Sequence, residues 1–314
     1  MVENIMDIAI NSPFRYAGGK FYARKLILAH IPKHSVYIEP FAGGGSIFFA
    51  KSKVLQNHLN DKDEDLINVY KIIRDYPEKL VSFLQKNSEK KNRIPSSLTR
   101  SISDGEPLPA TKELHAFFKN HYIPNNGIER AGRWFYLNRT SYSGIMNFKN
   151  MYWGYGDKYS MTPKNWPSHI FRTSEKLQGV ELTSEDFEII IDNAPQGAFL
   201  FIDPPYFNAD QDKFYQCFFT QEDHYRLMRC LYRNQGRLKL FVTYDNTPEI
   251  YEMYSWMAEI HSKEWNYCIQ RTDDQKYHSV RKGTRYKGRE LFLLNYHSDP
   301  MELFRAEAVT SEKR

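Results

Sequence analysis

The tetrapeptide Asp203-Pro204-Pro205-Tyr206 gathers a carboxylate, a main-chain carbonyl and an aromatic ring at one point of the chain. It follows Ala198-Phe199-Leu200-Phe201-Ile202, an unbroken apolar run of the kind that forms a central strand covered on both faces. These groups should therefore stand at the carboxyl edge of a sheet, where open α/β folds bind their ligands. The set suits an aromatic exocyclic amine. Such a nitrogen is a poor nucleophile because its lone pair is delocalised into the ring. Two acceptors, the Asp203 carboxylate and the Pro204 carbonyl, can hold both N–H groups and turn the lone pair towards an electrophile, while Tyr206 stacks on the base. Pro204 and Pro205 fix their own dihedrals and remove competing donors. A carboxylate, with an ordinary pKa of ~4, is too weak a base to deprotonate a neutral aryl amine beforehand, so its task is orientation. An Asp-Pro-Pro turn can also do no more than end a strand.

A second group lies upstream. Val36-Tyr37-Ile38 reads as a short strand leading into Glu39-Pro40-Phe41-Ala42-Gly43-Gly44-Gly45-Ser46, after which Ile47-Phe48-Phe49-Ala50 opens a helix. Backbone can approach a ligand closely at such a loop, and a nucleoside is the natural guest. Asp61 lies about twenty residues on from the loop, at the end of the next expected strand, where an acidic side chain can accept hydrogen bonds from ribose hydroxyls. Read blandly, the glycines make a turn and Asp61 caps a helix.

The elements that must position these groups can be outlined from spacing. Helix is expected over Phe21 to His30, over Asp65 to Leu84, Ala110 to His121, Ile128 to Asn138 and around Gln221 to Arg233. Strands are expected at Val54 to Leu59 and Leu238 to Thr243, with a closing hairpin at Glu264 to Ile269 and Leu291 to Tyr296. The stretch from Gln85 to Pro109 is polar, basic and rich in Ser and Pro, a loop or surface arm. An aromatic, glycine-rich stretch ends near Thr173. The fold class is therefore α/β, with a sheet split in sequence by an insertion: residues 1–64 and 174–314 form a catalytic domain and 65–173 an inserted, mainly helical one.

Composition narrows the classes. The 314 residues, 41% apolar and 26% charged, can bury a core without disulfides. No apolar run reaches the ~18–20 residues of a membrane span, and the N-terminus lacks the pattern of an export signal. Cys217, Cys230 and Cys268 lie far apart with no paired spacing, so no zinc cage or disulfide framework is encoded, and a reducing, cytoplasmic setting fits. The net charge of +5 is mild, but Arg281 to Arg289 holds five basic residues and no acid, with Tyr286 interleaved. The Lys86 to Arg100 run reads equally well as a solvated face.

Six segments, FRYAGGK (Phe14 to Lys20), EPFAGGGS (Glu39 to Ser46), LNDKDEDLI (Leu59 to Ile67), FYLNRTSYSG (Phe135 to Gly144), DPPY (Asp203 to Tyr206) and RELFLLNY (Arg289 to Tyr296), resemble in this order the motifs of the Dam-type, D12 class N6-adenine DNA methyltransferases. The resemblance spans nearly the whole chain. It implies a Rossmann-like catalytic sheet, S-adenosylmethionine as methyl donor, no metal, and an inserted target-recognition domain that reads double-stranded DNA. The reaction implied is methyl transfer to N6 of a flipped-out adenine. Tyr16, Lys20, Glu39, Phe41, Gly43, Gly45, Asp61 and Asp203 fall on the cofactor-contacting motifs, and Asp203, Pro204, Pro205 and Tyr206 on the catalytic one. From the residues alone, Lys20 would be a surface cation and Tyr16 a core aromatic.

Flipping a base requires a basic surface to hold the phosphates. Arg139, Tyr142 and Asn147 in the inserted segment, and Arg281, Arg285 and Lys287 in the closing hairpin, are the DNA-contact expectations. Where GATC-reading relatives carry Arg, this chain has Asn147, which can pair an adenine edge but lacks the fork that grips guanine. GATC specificity is therefore not implied. The same two acceptors would serve cytosine N4 or RNA adenine. A nicotinamide oxidoreductase is disfavoured because the glycine loop lacks G-x-G-x-x-G spacing, and a silent DNA-binding module because both motif sets are intact. A bacterial or phage-infected cytoplasm, with the enzyme on the nucleoid, is the expected setting, and no segment indicates an oligomeric partner.

Overall fold

Short runs of β-branched and aromatic residues build the centre of the molecule. The computed structural model describes residues 9–87, 93–156, 160–208, 218–266 and 287–298. Its strands are β1 (Val36–Glu39), β2 (Gln56–Asn60), β3 (Val180–Thr183), β4 (Phe199–Ile202), β5 (Lys239–Asp245), β6 (Glu259–Asn266) and β7 (Lys287–Leu294), and they form one sheet in the order β3-β2-β1-β4-β5-β7-β6. Strands β1 to β5 run parallel, and β7 lies antiparallel between β5 and β6. The chain winds outward from β1 to β3, then returns to place β4 on the other side of β1. That reversal opens a crevice at the carboxyl ends of β1 and β4. The Rossmann-like α/β class is the one expected.

Period-two alternation splits the core between the sheet's faces. Tyr37, Leu59, Phe199, Phe201 and Phe241 point to one face, and Ile38, Leu200, Ile202, Leu240 and Val242 to the other. All four side chains of β4 are buried, each contributing roughly 1.5–3 kcal/mol of transfer free energy. The first face is covered by α2 (Ser46–Ala50), α3 (Glu64–Asp75), α7 (Gly127–Thr140) and α8 (Trp166–Leu177), the second by α9 (Phe187–Asn193), α10 (Gln221–Asn234) and α11 (Pro248–Met253). Helices α1 (Arg24–Leu28), α4 (Pro77–Phe83), α5 (Ser96–Thr99) and α6 (Lys112–Asn120) complete the described set.

The structure departs from the sequence expectation in instructive places. The helix expected from Asp65 to Leu84 is two: Tyr76 leaves helical dihedrals at φ −141°, and Pro77, which cannot donate to the preceding turn, restarts the chain as the first residue of α4. The helix expected from Phe21 is helical only from Arg24. Strands β6 and β7 begin earlier than Glu264 and Leu291, and Ile269 lies outside the described residues. Strand β3 and helix α8 were not anticipated. The first has four residues and only two inward side chains, Val180 and Leu182, and the second hid its Trp166, Ile170, Thr173, Leu177 spacing inside an aromatic-rich stretch. Among the described residues, 65–173 carry helices and no strand of the sheet, and α3, α7 and α8 share the first cluster with the sheet.

Candidate active site

Asp203 follows β4 directly, because Pro204 and Pro205 cannot continue the strand ladder. The β4–β5 register sets Ile202 beside Val242, so Asp203 comes level with Thr243. The Thr243 hydroxyl donates to Asp203 Oδ1 at 2.6 Å. On the same side, Lys20 Nζ lies 2.6 Å from Oδ1 and 2.7 Å from Oδ2. Gly18, at φ +77°, turns the chain so that Lys20 folds back on its own loop and donates to the Gly18 carbonyl at 3.0 Å. A second carboxylate, Glu290 of β7, lies 4.0 Å from Lys20 Nζ. Burial alone would lower the Lys20 pKa, but Asp203 and Glu290 outweigh it and the net direction is up, so the ammonium keeps its charge. The Lys20 side chain is 3% exposed and that of Asp203 20%, so the cation stands behind the carboxylate and the carboxylate faces the crevice.

The ring of Tyr206 lies under the same ammonium, 4.9 Å from Nζ to the ring centroid, and 6.2 Å from the ring of Tyr244. Past it, Asp245 at the end of β5 accepts from the backbone N–H of Phe207 at 3.0 Å and of Asn208 at 3.1 Å, which ties down the chain that leaves the tetrapeptide. Pro204 is buried and Pro205 half-buried. Among the described residues, no hydrogen bond reaches the Pro204 carbonyl.

Across the crevice, the glycine loop is held from below. Gly43 and Gly45 sit at φ +48° and +62°, a left-handed region that suits glycine. Gly43 N–H donates to Asp61 Oδ2 at 2.8 Å, and Asp63 N–H donates to Oδ1 at 3.0 Å. Burial raises the Asp61 pKa, and these two N–H groups act against that. Tyr16 packs on the loop: a Cβ added to Gly43 would stand 2.9 Å from its ring, and one on Gly44 2.9 Å from its Cβ. Tyr70 of α3 donates to the Gly43 carbonyl at 2.9 Å, and Ser12 donates to that of Gly44. Phe41 leans on Phe187 and Phe219, with ring centroids 5.4 Å and 5.6 Å away. Glu39 lies beneath the loop. Its Oε1 accepts from the Tyr37 hydroxyl at 2.6 Å and from Phe48 N–H at 2.9 Å, and burial pushes its pKa up to about 8.

The structure thus brings together Tyr16, Glu39, Phe41, Gly43, Gly45 and Asp61 on one side, and Lys20, Asp203, Pro204, Pro205 and Tyr206 on the other. A third group adjoins them through Arg15. Its N–H donates to Asn138 Oδ1 at 3.0 Å, Asn138 returns a bond to the Arg15 carbonyl at 2.7 Å, and the Arg15 guanidinium donates to the Ser141 carbonyl at 3.0 Å. There the turn Tyr142–Gly144 carries Ser143 at φ +51°, and Tyr142 is exposed at the surface. Asn147 is half-buried, its Oδ1 accepting from Lys149 N–H at 3.0 Å. Arg139 is buried, and its pKa falls to about 10 through burial first and the charge of Arg15 second. Arg281 and Arg285 lie outside the described residues, as do Cys217 and Cys268; Lys287 begins β7, but its side chain lies outside them.

Sequence reasoning missed Thr243, Glu290, Tyr70, Asp245, Arg15 and Asn138. Two left a signal: Thr243 interrupts the apolar run Leu240-Phe241-Val242, and Glu290 directly precedes the apolar run Leu291-Phe292-Leu293-Leu294. Among the described residues, no cluster of His, Cys, Asp and Glu could hold a metal ion, and no helix is long and apolar enough to cross a membrane.

Comparison with known proteins adds a family. Residues 16–269 match the family model described as D12 class N6 adenine-specific DNA methyltransferase. The chain is 27% identical over 301 residues to the type II methyltransferase M1.LlaDCHI of Lactococcus lactis subsp. cremoris, covering 90% of this chain and 95% of that one. It is 29% identical over 255 residues to the DNA N-6-adenine-methyltransferase of Escherichia phage P1, covering 77% of this chain and only 31% of the larger phage protein. To the DNA adenine methylase of Escherichia coli K12 it is 23% identical over 194 residues, with 61% and 63% covered.

Proposed function

Since the chain belongs to the D12 class of N6 adenine-specific DNA methyltransferases and so methylates adenine in DNA, we propose that its methyl donor is S-adenosylmethionine, held against the glycine loop and Asp61, and that Asp203 and Pro204 receive the adenine amine. When bound, that cofactor supplies a methyl group activated by a sulfonium. The fit is supported by the cradle. Bare backbone lies against the Tyr16 ring at Gly43 and against the Phe49 ring at Gly45, where a side chain would collide, and the Asp61 carboxylate is already aimed by two N–H groups, with lone pairs left for ribose hydroxyls. Tyr16, Phe41 and Gly45 would line the nucleoside, Glu39 would brace the loop from beneath, and Lys20 would act through Asp203.

The single observation that carries the reading is the Asp203 carboxylate, pinned from behind by Lys20 and Thr243 and open towards the crevice. Its outward lone pairs and the Pro204 carbonyl accept the two N6–H groups, Tyr206 stacks on the extruded base, and the nitrogen lone pair turns towards the methyl donor. Double-stranded DNA would lie across residues 139–147, with Tyr142 and Asn147 at its surface and the buried Arg139 beside Arg15 adding positive potential from below. Arg281, Arg285 and Lys287 belong to the same reading. Residues 65–173 would serve as the target-recognition segment, and 1–64 with 174–314 as the catalytic one. DNA as substrate makes a cytoplasmic, nucleoid-bound enzyme the natural setting. The test is to incubate the protein with duplex oligonucleotides and labelled S-adenosylmethionine and to identify the modified nucleoside. N6-methyladenine in duplex DNA is expected; N4-methylcytosine, or product in RNA alone, would contradict the reading.

A further inference from the structure

The Asp203 carboxylate is surrounded on its inner side by groups that substrate cannot reach. Thr243 is fully buried and commits its hydroxyl to Oδ1 at 2.6 Å. Lys20 is buried and bridges both oxygens, and Glu290, fully buried in β7, stands 4.0 Å from the same ammonium. We propose that Thr243 and Glu290 are positioning residues for adenine methylation, Thr243 by fixing the plane of the Asp203 carboxylate and Glu290 by sharing the charge of Lys20 so that it does not draw the carboxylate inward. The inference rests on Asp203 being the acceptor of the adenine amine.

The geometry gives each residue a separate task. A carboxylate joined to its backbone by two rotatable bonds can swing, and an oxygen that swings by an ångström no longer meets the N6–H. Lys20 alone does not prevent this, because an ammonium offers three donors on a rotating head and follows the carboxylate wherever it turns. Thr243 does prevent it: its hydroxyl is carried by β5, in register with β4, and reaches one oxygen only. A buried ammonium facing a single carboxylate would also hold it as tightly as possible and compete with the adenine amine for the same lone pairs. A second carboxylate within reach of the ammonium divides that attraction.

The test is steady-state kinetics on the full chain with duplex DNA, together with S-adenosylmethionine binding by calorimetry. Thr243→Val keeps the shape and loses the hydroxyl, and should lower kcat roughly tenfold to a hundredfold, the effect of losing one hydrogen bond to a charged group. The Kd and KM for S-adenosylmethionine should stay within about threefold of wild type, since no bond to the cofactor is removed. Thr243→Ser should restore kcat to within about threefold, because the hydroxyl returns. Glu290→Gln should lower kcat about tenfold with the same unchanged cofactor affinity. Wild-type kcat in Thr243→Val, a Thr243→Ser variant as slow as the valine one, or a loss seen only in KM would overturn the proposal; should Thr243→Val not fold, wild-type kcat in Glu290→Gln does so. One further variant separates the two readings. The variant that does so is Asp203→Ala, since an asparagine amide oxygen could still accept: if Asp203→Ala retains turnover, the acceptor assignment itself fails; if it loses turnover while Thr243→Val and Glu290→Gln match wild type, only the positioning proposal fails.

Discussion

Around Asp203, one buried ammonium serves two carboxylates, a buried hydroxyl donates to the first of them, and the loop beyond is clamped by Asp245. Around the turn Tyr142–Gly144, one short segment away through Arg15, the build is the reverse. Arg15 and Arg139 lie close enough for their charges to repel, and their described hydrogen bonds go to carbonyl and hydroxyl oxygens, with no carboxylate among them. Ser143 holds a left-handed backbone, and Tyr142 is exposed beside it. The first region is complete in itself, as a site must be if it is to orient a weak nucleophile without rearranging. The second carries positive charge that an anionic, stackable partner would balance. Damage to the first should therefore appear in kcat or cofactor affinity, and damage to the second in DNA affinity.

The sharpest way to break that contrast is Asp203→Ala, which removes both acceptor oxygens. Turnover should fall at least about 10³-fold while DNA affinity in a mobility-shift titration stays at the wild-type value; equal losses in both would erase the distinction. Gly43→Ala comes next. The added Cβ meets the Tyr16 ring at 2.9 Å on a backbone of φ +48°, so the Kd for S-adenosylmethionine, read by calorimetry, should rise roughly tenfold to a hundredfold. Tyr142→Ala belongs to the other region. Losing one base-stacking ring should weaken DNA binding by about tenfold, with thermal stabilisation by S-adenosylmethionine unaltered. A Tyr142→Ala variant that lost its cofactor response would show that the regions are not separable.

The smallest effect concerns Glu39, whose folded pKa of about 8 lies above the ordinary carboxylate value because it is buried. The sign follows from linkage: the neutral buried acid contributes its full stability below the unfolded pKa, and that contribution is lost as pH rises through about 8. Glu39→Gln can still accept from Tyr37 and Phe48 but carries no proton to lose. Its melting temperature relative to wild type should climb by a few degrees between pH 5 and pH 9; a constant difference would place the Glu39 ionisation outside that window.

Legibility in the sequence followed locality. Strand β4 and its tetrapeptide, and β1 with its glycine loop, could be read because an apolar run and its punctuation by Pro or Gly are contiguous. The second wall of the site could not. Thr243 meets Asp203 only through the β4–β5 register, and Glu290 meets Lys20 only because β7 inserts antiparallel between β5 and β6, a choice that no local pattern encodes. Lys20 and Tyr16 were singled out by resemblance alone, and their partners, Asp203 and Gly43, emerged only with the fold. Arg139 read as a basic surface residue because periodicity does not reveal that α7 turns that guanidinium inward.

The central claim is that Asp203 and Pro204 together hold an extruded adenine by its amine. A crystal structure of the protein with a methylatable duplex and an unreactive S-adenosylmethionine analogue tests it directly. The account predicts the target base outside the helix, with N6 at hydrogen-bond distance, about 3 Å, from both a carboxylate oxygen of Asp203 and the Pro204 carbonyl, and Lys20 and Thr243 still on the inner side of Asp203. An adenine that remains stacked in the duplex, or one whose N6 meets neither oxygen, would contradict it.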